Sequence, residues 1–80
     1  MSQISVSQAL GLYIAYLQSR IAGTPPALVN NPSIVTVNPQ TGQWVSLSLT
    51  QMLSEAQRGT AIGINEAVKY AAQQGYSVAG

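Results

Sequence analysis

The chain has 80 residues, of which only three are basic and two are acidic, and it contains no histidine and no cysteine. A typical soluble domain is roughly 25% charged, so this composition lacks most of the side chains that catalyse reactions, ligate metals or contact phosphates. We therefore expect no catalytic residues, no metal or other cofactor, no nucleic-acid partner and no small-molecule substrate.

The chain is short enough to form one small domain at most, over residues 1–80. Such a chain buries only about 60–65% of its unfolded surface, and neither a disulfide nor a metal is expected to reinforce it. Association with other protein is the remaining means of stabilisation, and a net charge of +1 offers little repulsion against it. The alternative is a nearly neutral domain kept soluble by uncharged polar residues, among them nine Gln and nine Ser.

The N-terminal residues do not predict a signal peptide. Residues 1–5 include no basic residue, so the positive n-region of a signal peptide is absent. The longest apolar stretch, residues 9–17, is far shorter than the ~20 residues that span a membrane. We expect no membrane span, and a location in the cytoplasm or in a virion.

Residues 5–22 predict the first helix. Ser5 and Gln8 have the spacing of a capping box, and Gly23 followed by two prolines ends the helix. Apolar residues cover so much of the circumference that we expect burial from more than one side.

Three residues of this helix are candidate interface residues. Gly11 and Ala15 leave a thin face that another backbone can approach closely. Tyr16 lies on a second apolar stripe, and tyrosine is favoured at protein interfaces because it joins apolar area to a polar tip. Part of the burial of this helix is therefore expected to come from a neighbouring chain.

Residues 24–32 predict an extended connector, because Pro25–Pro26 favours a polyproline-type path. Residues 33–47 predict a β-hairpin, since residues 34–37 are β-branched and Asn38–Gly42 has strong turn chemistry. In the simplest register one face of the hairpin carries Val35, Val37, Val45 and Leu47, and the other carries Ile34, Thr36, Trp44 and Ser46.

A lone hairpin is marginal in water, and both of its edges offer unpaired backbone groups. This hairpin is therefore predicted either to pack on the helices or to join strands of another subunit. Trp44, beside the turn on the half-polar face, is the strongest single candidate for an interface residue. The alternative is that Trp44 covers the small core of its own chain.

Residues 48–74 predict helix, and residues 75–80 predict a frayed tail or a contact segment. Ser48 and Gln51 repeat the spacing of a capping box. Gly59 can end one helix and Thr60 can cap another. The alternative is a single long helix weakened by its glycines, each of which costs roughly 1 kcal/mol relative to alanine.

Small residues recur four positions apart along this segment, at Gly59, Gly63, Ala67, Ala71 and Gly75. In a helix they form one ridge that is nearly free of side chains, which lets another helix approach closely. This ridge packs either within the chain, against Gly11 and Ala15 of the first helix, or against another subunit. Its first four members are candidate interface residues.

Four of the five charges form two pairs in the same segment, Glu55 with Arg58 and Glu66 with Lys69. Each pair supports a helix by a few tenths of a kcal/mol, and one continuous helix would place all four on a single stripe. A solvated helix face is the simpler interpretation, and lateral charge pairing between subunits is the alternative. In one helix the two glutamates would lie about 16 Å apart, beyond the roughly 5–9.5 Å of a glycosidase pair.

The sequence thus predicts a small α+β protein with an N-terminal helix, a β-hairpin, and then one long or two short C-terminal helices. The leading hypothesis is a non-enzymatic structural subunit that self-assembles or is incorporated in a larger assembly, such as a virion component or a filament or sheath protein. Its partners would be copies of itself or other assembly proteins. The alternative is a small soluble binding module or inhibitor that docks on a single partner protein.

Overall fold

A computed structural model describes residues 2–79 of the chain and confirms the predicted small α+β fold. Met1 and Gly80, the ends of the predicted domain and tail, lie outside the described residues. The elements in chain order are β1 (Gln3–Ile4), α1 (Val6–Ala22), β2 (Ile34–Val37), β3 (Trp44–Leu47), α2 (Leu49–Arg58), α3 (Ala61–Gln73) and β4 (Ser77–Val78).

Both predicted capping boxes are confirmed. At the start of α1, Gln8 N donates to Ser5 Oγ at 3.1 Å, and Ser5 N donates to Gln8 Oε1 at 2.9 Å. Ser48 and Gln51 make the same reciprocal pair at the start of α2, again at 3.1 and 2.9 Å. Each box gives side-chain oxygen partners to two backbone N–H groups that the start of the helix would otherwise leave without an acceptor.

The C-terminal helical segment is two helices rather than one. Gly59 ends α2 in the left-handed conformation, with φ at 65°, which glycine adopts without steric cost. Thr60 then begins α3, because its Oγ1 accepts a hydrogen bond from Gly63 N at 3.2 Å. Since the helix is not continuous, the single stripe of four charges does not form.

The hairpin is confirmed, but the predicted register is wrong by one residue. Ile34 lies opposite Leu47, and Thr36 lies opposite Val45. Asn38 N donates to Gln43 O at 2.9 Å, which closes a loop of four residues, 39–42, where a five-residue turn was predicted. The strands therefore pair one position away from the simplest register.

A one-residue shift moves side chains to the opposite face of a hairpin, and the observed faces differ from the predicted ones accordingly. Thr36 is buried, and Ile34 and Leu47 pack against the helical core. The face toward the helices carries Ile34, Thr36, Val45 and Leu47, and the outward face carries Val35, Val37, Trp44 and Ser46.

The connector between α1 and β2 is turned rather than extended. Leu28 N donates to Pro25 O at 2.8 Å, and Asn31 N donates to Leu28 O at 3.1 Å. Pro26 takes the second position of the first turn, where its fixed φ is favourable. Thr50 Oγ1 donates to Asn30 Oδ1 at 2.7 Å, which ties the connector to the first turn of α2.

The predicted tail forms a strand that the sequence did not indicate. β4 pairs with β1 in parallel, with Gln3 opposite Ser77 and Ile4 opposite Val78. Ser77 N donates to Ser2 O at 2.8 Å, and Ala79 N donates to Ile4 O at 2.9 Å. The two ends of the described chain are therefore joined by backbone hydrogen bonds.

The core lies where one face of α1 packs on α2 and α3. Its buried apolar residues are Ala9, Tyr13, Leu17, Leu49, Met52, Ala56, Ala67 and Ala71. Half of them are alanines, so the helices pack with short side chains between them. On the opposite face of α1, Gly11, Leu12 and Ala15 are exposed. Over residues 2–79, no helix combines the length and the hydropathy needed to cross a membrane.

Candidate protein-binding surfaces

The outward face of the hairpin is the first candidate surface. Trp44 is 73% exposed and Val35 is 64% exposed, and both lie on the face turned away from the helices. Within residues 2–79, β2 and β3 pair only with each other, so each strand has one edge without a strand partner. Trp44 therefore does not cover the core of its own chain, which was one of the two predicted alternatives.

The second candidate surface is a shallow groove over the outer side of α1, with a volume of about 440 Å³. It is lined by Ile4, Gln8, Gly11, Leu12, Ala15 and Tyr76. Gly11 and Ala15, predicted to form a thin face, are exposed there, and a Cβ added at Gly11 would meet no atom within 4 Å. No lining residue is charged, so the groove is an apolar depression.

The ridge of small residues does not contribute a third surface, because it is used inside the chain. Gly63, Ala67 and Ala71 are all buried. A Cβ at Gly63 would clash with Glu55 O, so this glycine lets α3 lie directly on the backbone of α2. The ridge therefore packs within the chain, which was one of the two predicted alternatives. At Gly63 it contacts α2, whereas the prediction for this alternative was contact with Gly11 and Ala15 of α1.

Tyr16 belongs to a separate cleft between α1 and α3, which we call the tyrosine cleft. Tyr16 stacks on Tyr70 with ring centroids 4.6 Å apart, and Tyr13 lies 5.6 Å from Tyr70 and 6.1 Å from Tyr16. Arg20, Glu66 and Lys69 line the same cleft. Three of the five charged residues of the chain are therefore gathered around three tyrosines.

Both predicted charge pairs form ion pairs, and in each the carboxylate is the less exposed partner. Glu55 is paired with Arg58, and Glu66 Oε2 lies 2.7 Å from Lys69 Nζ. The Glu66 side chain is only 11% exposed, whereas that of Lys69 is 56% exposed. The two carboxylates are thus half-buried. The predicted solvated helix face is found only for the cations, Arg58 and Lys69.

The tyrosine cleft also perturbs the ionisation of its deepest phenol. Burial raises the pKa of Tyr13 well above its usual value, and the negative charge of Glu66 raises it further. Tyr13 therefore remains a neutral phenol throughout the physiological pH range and serves as an apolar wall of the cleft rather than as an acid or base.

Sequence reasoning identified the outward Trp44 and the bare α1 face, but it missed the tyrosine cleft. Tyr16 and Arg20 are more than 45 positions from Glu66 and Tyr70, and no local pattern joins them. The i,i+4 spacing of Tyr16 and Arg20 was the one available signal, since residues at that spacing share a helix face.

Comparisons with protein-family models, with curated proteins and with solved structures gave no match. Among residues 2–79, no three side chains of His, Cys, Asp or Glu come together as a group that could hold a metal ion.

Proposed function

We propose that this protein is a non-enzymatic structural subunit that assembles with copies of itself, as a virion component or as a filament or sheath protein. The observation that carries the proposal is the outward face of the hairpin, where Trp44 and Val35 are 73% and 64% exposed. Large apolar side chains exposed together mark contact sites on soluble proteins.

The chemistry of this face suits burial against protein. Trp44 offers a large apolar area together with an indole N–H that can find a partner at an interface. The outward positions of β2 and β3 carry no charge, so covering them removes no ion from water, which is the costly step in burying a surface. The free strand edges offer backbone groups that another chain can pair with.

The groove over α1 gives the same chain a second and different apolar surface. The hairpin projects Trp44 outward, whereas the groove around Gly11 is concave. A contact between two unlike surfaces repeats from copy to copy and builds rings or open filaments, whereas contact between identical surfaces stops at a dimer. The presence of two surfaces therefore favours extended assembly over a single closed pair.

The test is the mass of the purified protein over a concentration series, measured by light scattering after size-exclusion chromatography. We expect species heavier than the 8.4 kDa chain, with an average mass that rises with concentration. In the double variant Val35→Thr/Trp44→Thr, which places a residue favourable to β-strands at both positions, we expect the mass to fall to that of a single chain.

Leu28→Thr is the matched control, because Leu28 is an apolar residue that is 52% exposed and belongs to the connector rather than to the hairpin strands. It should keep the mass distribution of the unmodified protein. A single 8.4 kDa species at all concentrations would sink the assembly proposal and favour the single-partner binding module. An assembly that persists in the double variant would exclude the hairpin face as its contact.

A further inference from the structure

We propose that the tyrosine cleft binds a small organic carboxylate that carries one planar ring, with the Arg20 guanidinium holding the carboxylate and the tyrosine rings contacting the planar group. This inference goes beyond the proposed function, since a single chain provides every group that it requires. It is carried by the shape of the cleft, by its aromatic walls and by the pairing of its charges.

The walls of the cleft are suited to a flat ligand. The rings of Tyr16 and Tyr70 are inclined by only 26° at a centroid distance of 4.6 Å, and Tyr13 adjoins both of them. Aromatic groups contact one another favourably in offset-stacked or edge-on geometry. A planar ring is therefore the group that this surface contacts best.

The size of the cleft suits a ligand with about one ring. Its volume is about 170 Å³, and a cavity of roughly 150 Å³ is known to accept benzene. Dinucleotides and other drug-sized ligands occupy larger pockets, of roughly 300–1,000 Å³.

Arg20 supplies the specific polar group. Within residues 2–79, the ion pairs involve Glu55, Arg58, Glu66 and Lys69, and they leave Arg20 without a carboxylate. Arg20 Nη1 makes one long hydrogen bond, 3.4 Å, to Tyr16 Oη, and its guanidinium lies 5.8 Å from the centroid of that ring. A guanidinium has five N–H donors in a planar fork that matches a carboxylate, so most of the capacity of Arg20 is free for a ligand.

The remaining charges favour an anion over a cation. Glu66 is the acidic group in the cleft, and Lys69 Nζ neutralises it at 2.7 Å. With Arg20 and Lys69 positive and Glu66 negative, the formal charge of the cleft is +1. A cationic ligand would meet a carboxylate that is already paired, whereas an anion meets the unpaired guanidinium.

The experiment uses the full chain with sodium benzoate as the probe, measured by isothermal titration calorimetry and by saturation-transfer NMR, which also works on large assemblies. We expect saturable binding with a dissociation constant that is roughly millimolar, as suits a ligand of this size. Benzamide keeps the ring and removes the charge, and we expect it to bind about tenfold more weakly or not at all.

Arg20→Gln and Arg58→Gln form the matched pair of variants, because both remove one positive charge from an exposed helical position. We expect Arg20→Gln to weaken benzoate binding at least about tenfold and Arg58→Gln to leave it unchanged. Acetate, which has the charge without the ring, should bind more weakly than benzoate.

Equal affinity in the two variants would overturn the proposal, because it would show attraction to net charge alone. Equal binding of benzamide and benzoate would also overturn it, since the carboxylate would then have no role. Absence of saturable benzoate binding to the folded protein, with folding checked by circular dichroism, would overturn it as well. None of these results bears on the mass distribution that tests self-assembly.

Discussion

The chain has small residues four positions apart in two places, and the fold uses them in opposite ways. In α3, Gly63 and Ala67 are buried, and Gly63 lies against the backbone of α2. In α1, Gly11 and Ala15 have the same spacing but are exposed on the side of the helix away from the core. Small residues four positions apart therefore mark a helix face that another backbone can approach closely. Which backbone approaches that face depends on the turns that connect the helices.

The reason lies in the turns that join the helices. Gly59 and Thr60 end α2 and begin α3, and Gly63, in the first turn of α3, lies against the backbone of α2. α1 presents Tyr13 and its neighbours on one face to both helices. On the outer face Gly11 and Ala15 stay exposed, so this pair in α1 remains available to another molecule.

Gly63→Ala should have the largest effect on this comparison. A Cβ at this position would clash with Glu55 O and lie 2.8 Å from Ala56 N, and backbone atoms cannot move aside without separating the two helices. We expect the free energy of unfolding to fall by about 1–3 kcal/mol, measured by urea denaturation. Unchanged stability would show that α2 and α3 do not pack as closely as described.

Gly11→Ala is the counterpart in α1 and should act in the opposite direction. The added methyl group meets no atom within 4 Å, and alanine is favoured over glycine in a helix interior by about 1 kcal/mol. We expect the free energy of unfolding to rise by about that amount in the same urea titration. A loss of stability would mean that the outer face of α1 is already covered.

Ala15→Lys should have the smallest effect on the stability of the chain. Ala15 is exposed and lysine is a good helix former, so we expect a change within about 0.5 kcal/mol. Ala67→Lys is the control, because Ala67 is fully buried and a charge there should unfold the protein. A stability loss in Ala15→Lys comparable to that of the control would contradict the exposed position of this face.

Much of the fold could be predicted because its signals are local. The capping boxes at Ser5 and Ser48 and the hairpin turn after Asn38 each depend on residues within a few positions of one another. The register could not be predicted, because Asn38 and Gln43 add one further pair at the end of the ladder and a one-residue difference has no sequence signature in a mixed apolar strand.

The remaining features depend on contacts between distant parts of the chain. Pairing of β1 with β4 joins segments of two residues each, which are too short to show any periodicity. The convergence of Arg20 with Glu66 in the tyrosine cleft follows from the packing of α1 on α3. The sequence predicted the thin face at Gly11 and Ala15. It did not predict that Ile4 and Tyr76 also line the groove, because the pairing of β1 with β4 brings these residues together.

The parallel pairing of β1 and β4 has a consequence for engineering. Because residues 3–4 and 77–78 are neighbours, a peptide link between the two segments could close the backbone into a covalent ring without displacing a helix. Because the two strands are parallel, the end of β4 and the start of β1 lie at opposite ends of the pair. The link therefore has to run back along the length of two residues, roughly 7 Å. The turned connector around Leu28, which is exposed, then becomes the natural place to reopen the ring and produce a circular permutant.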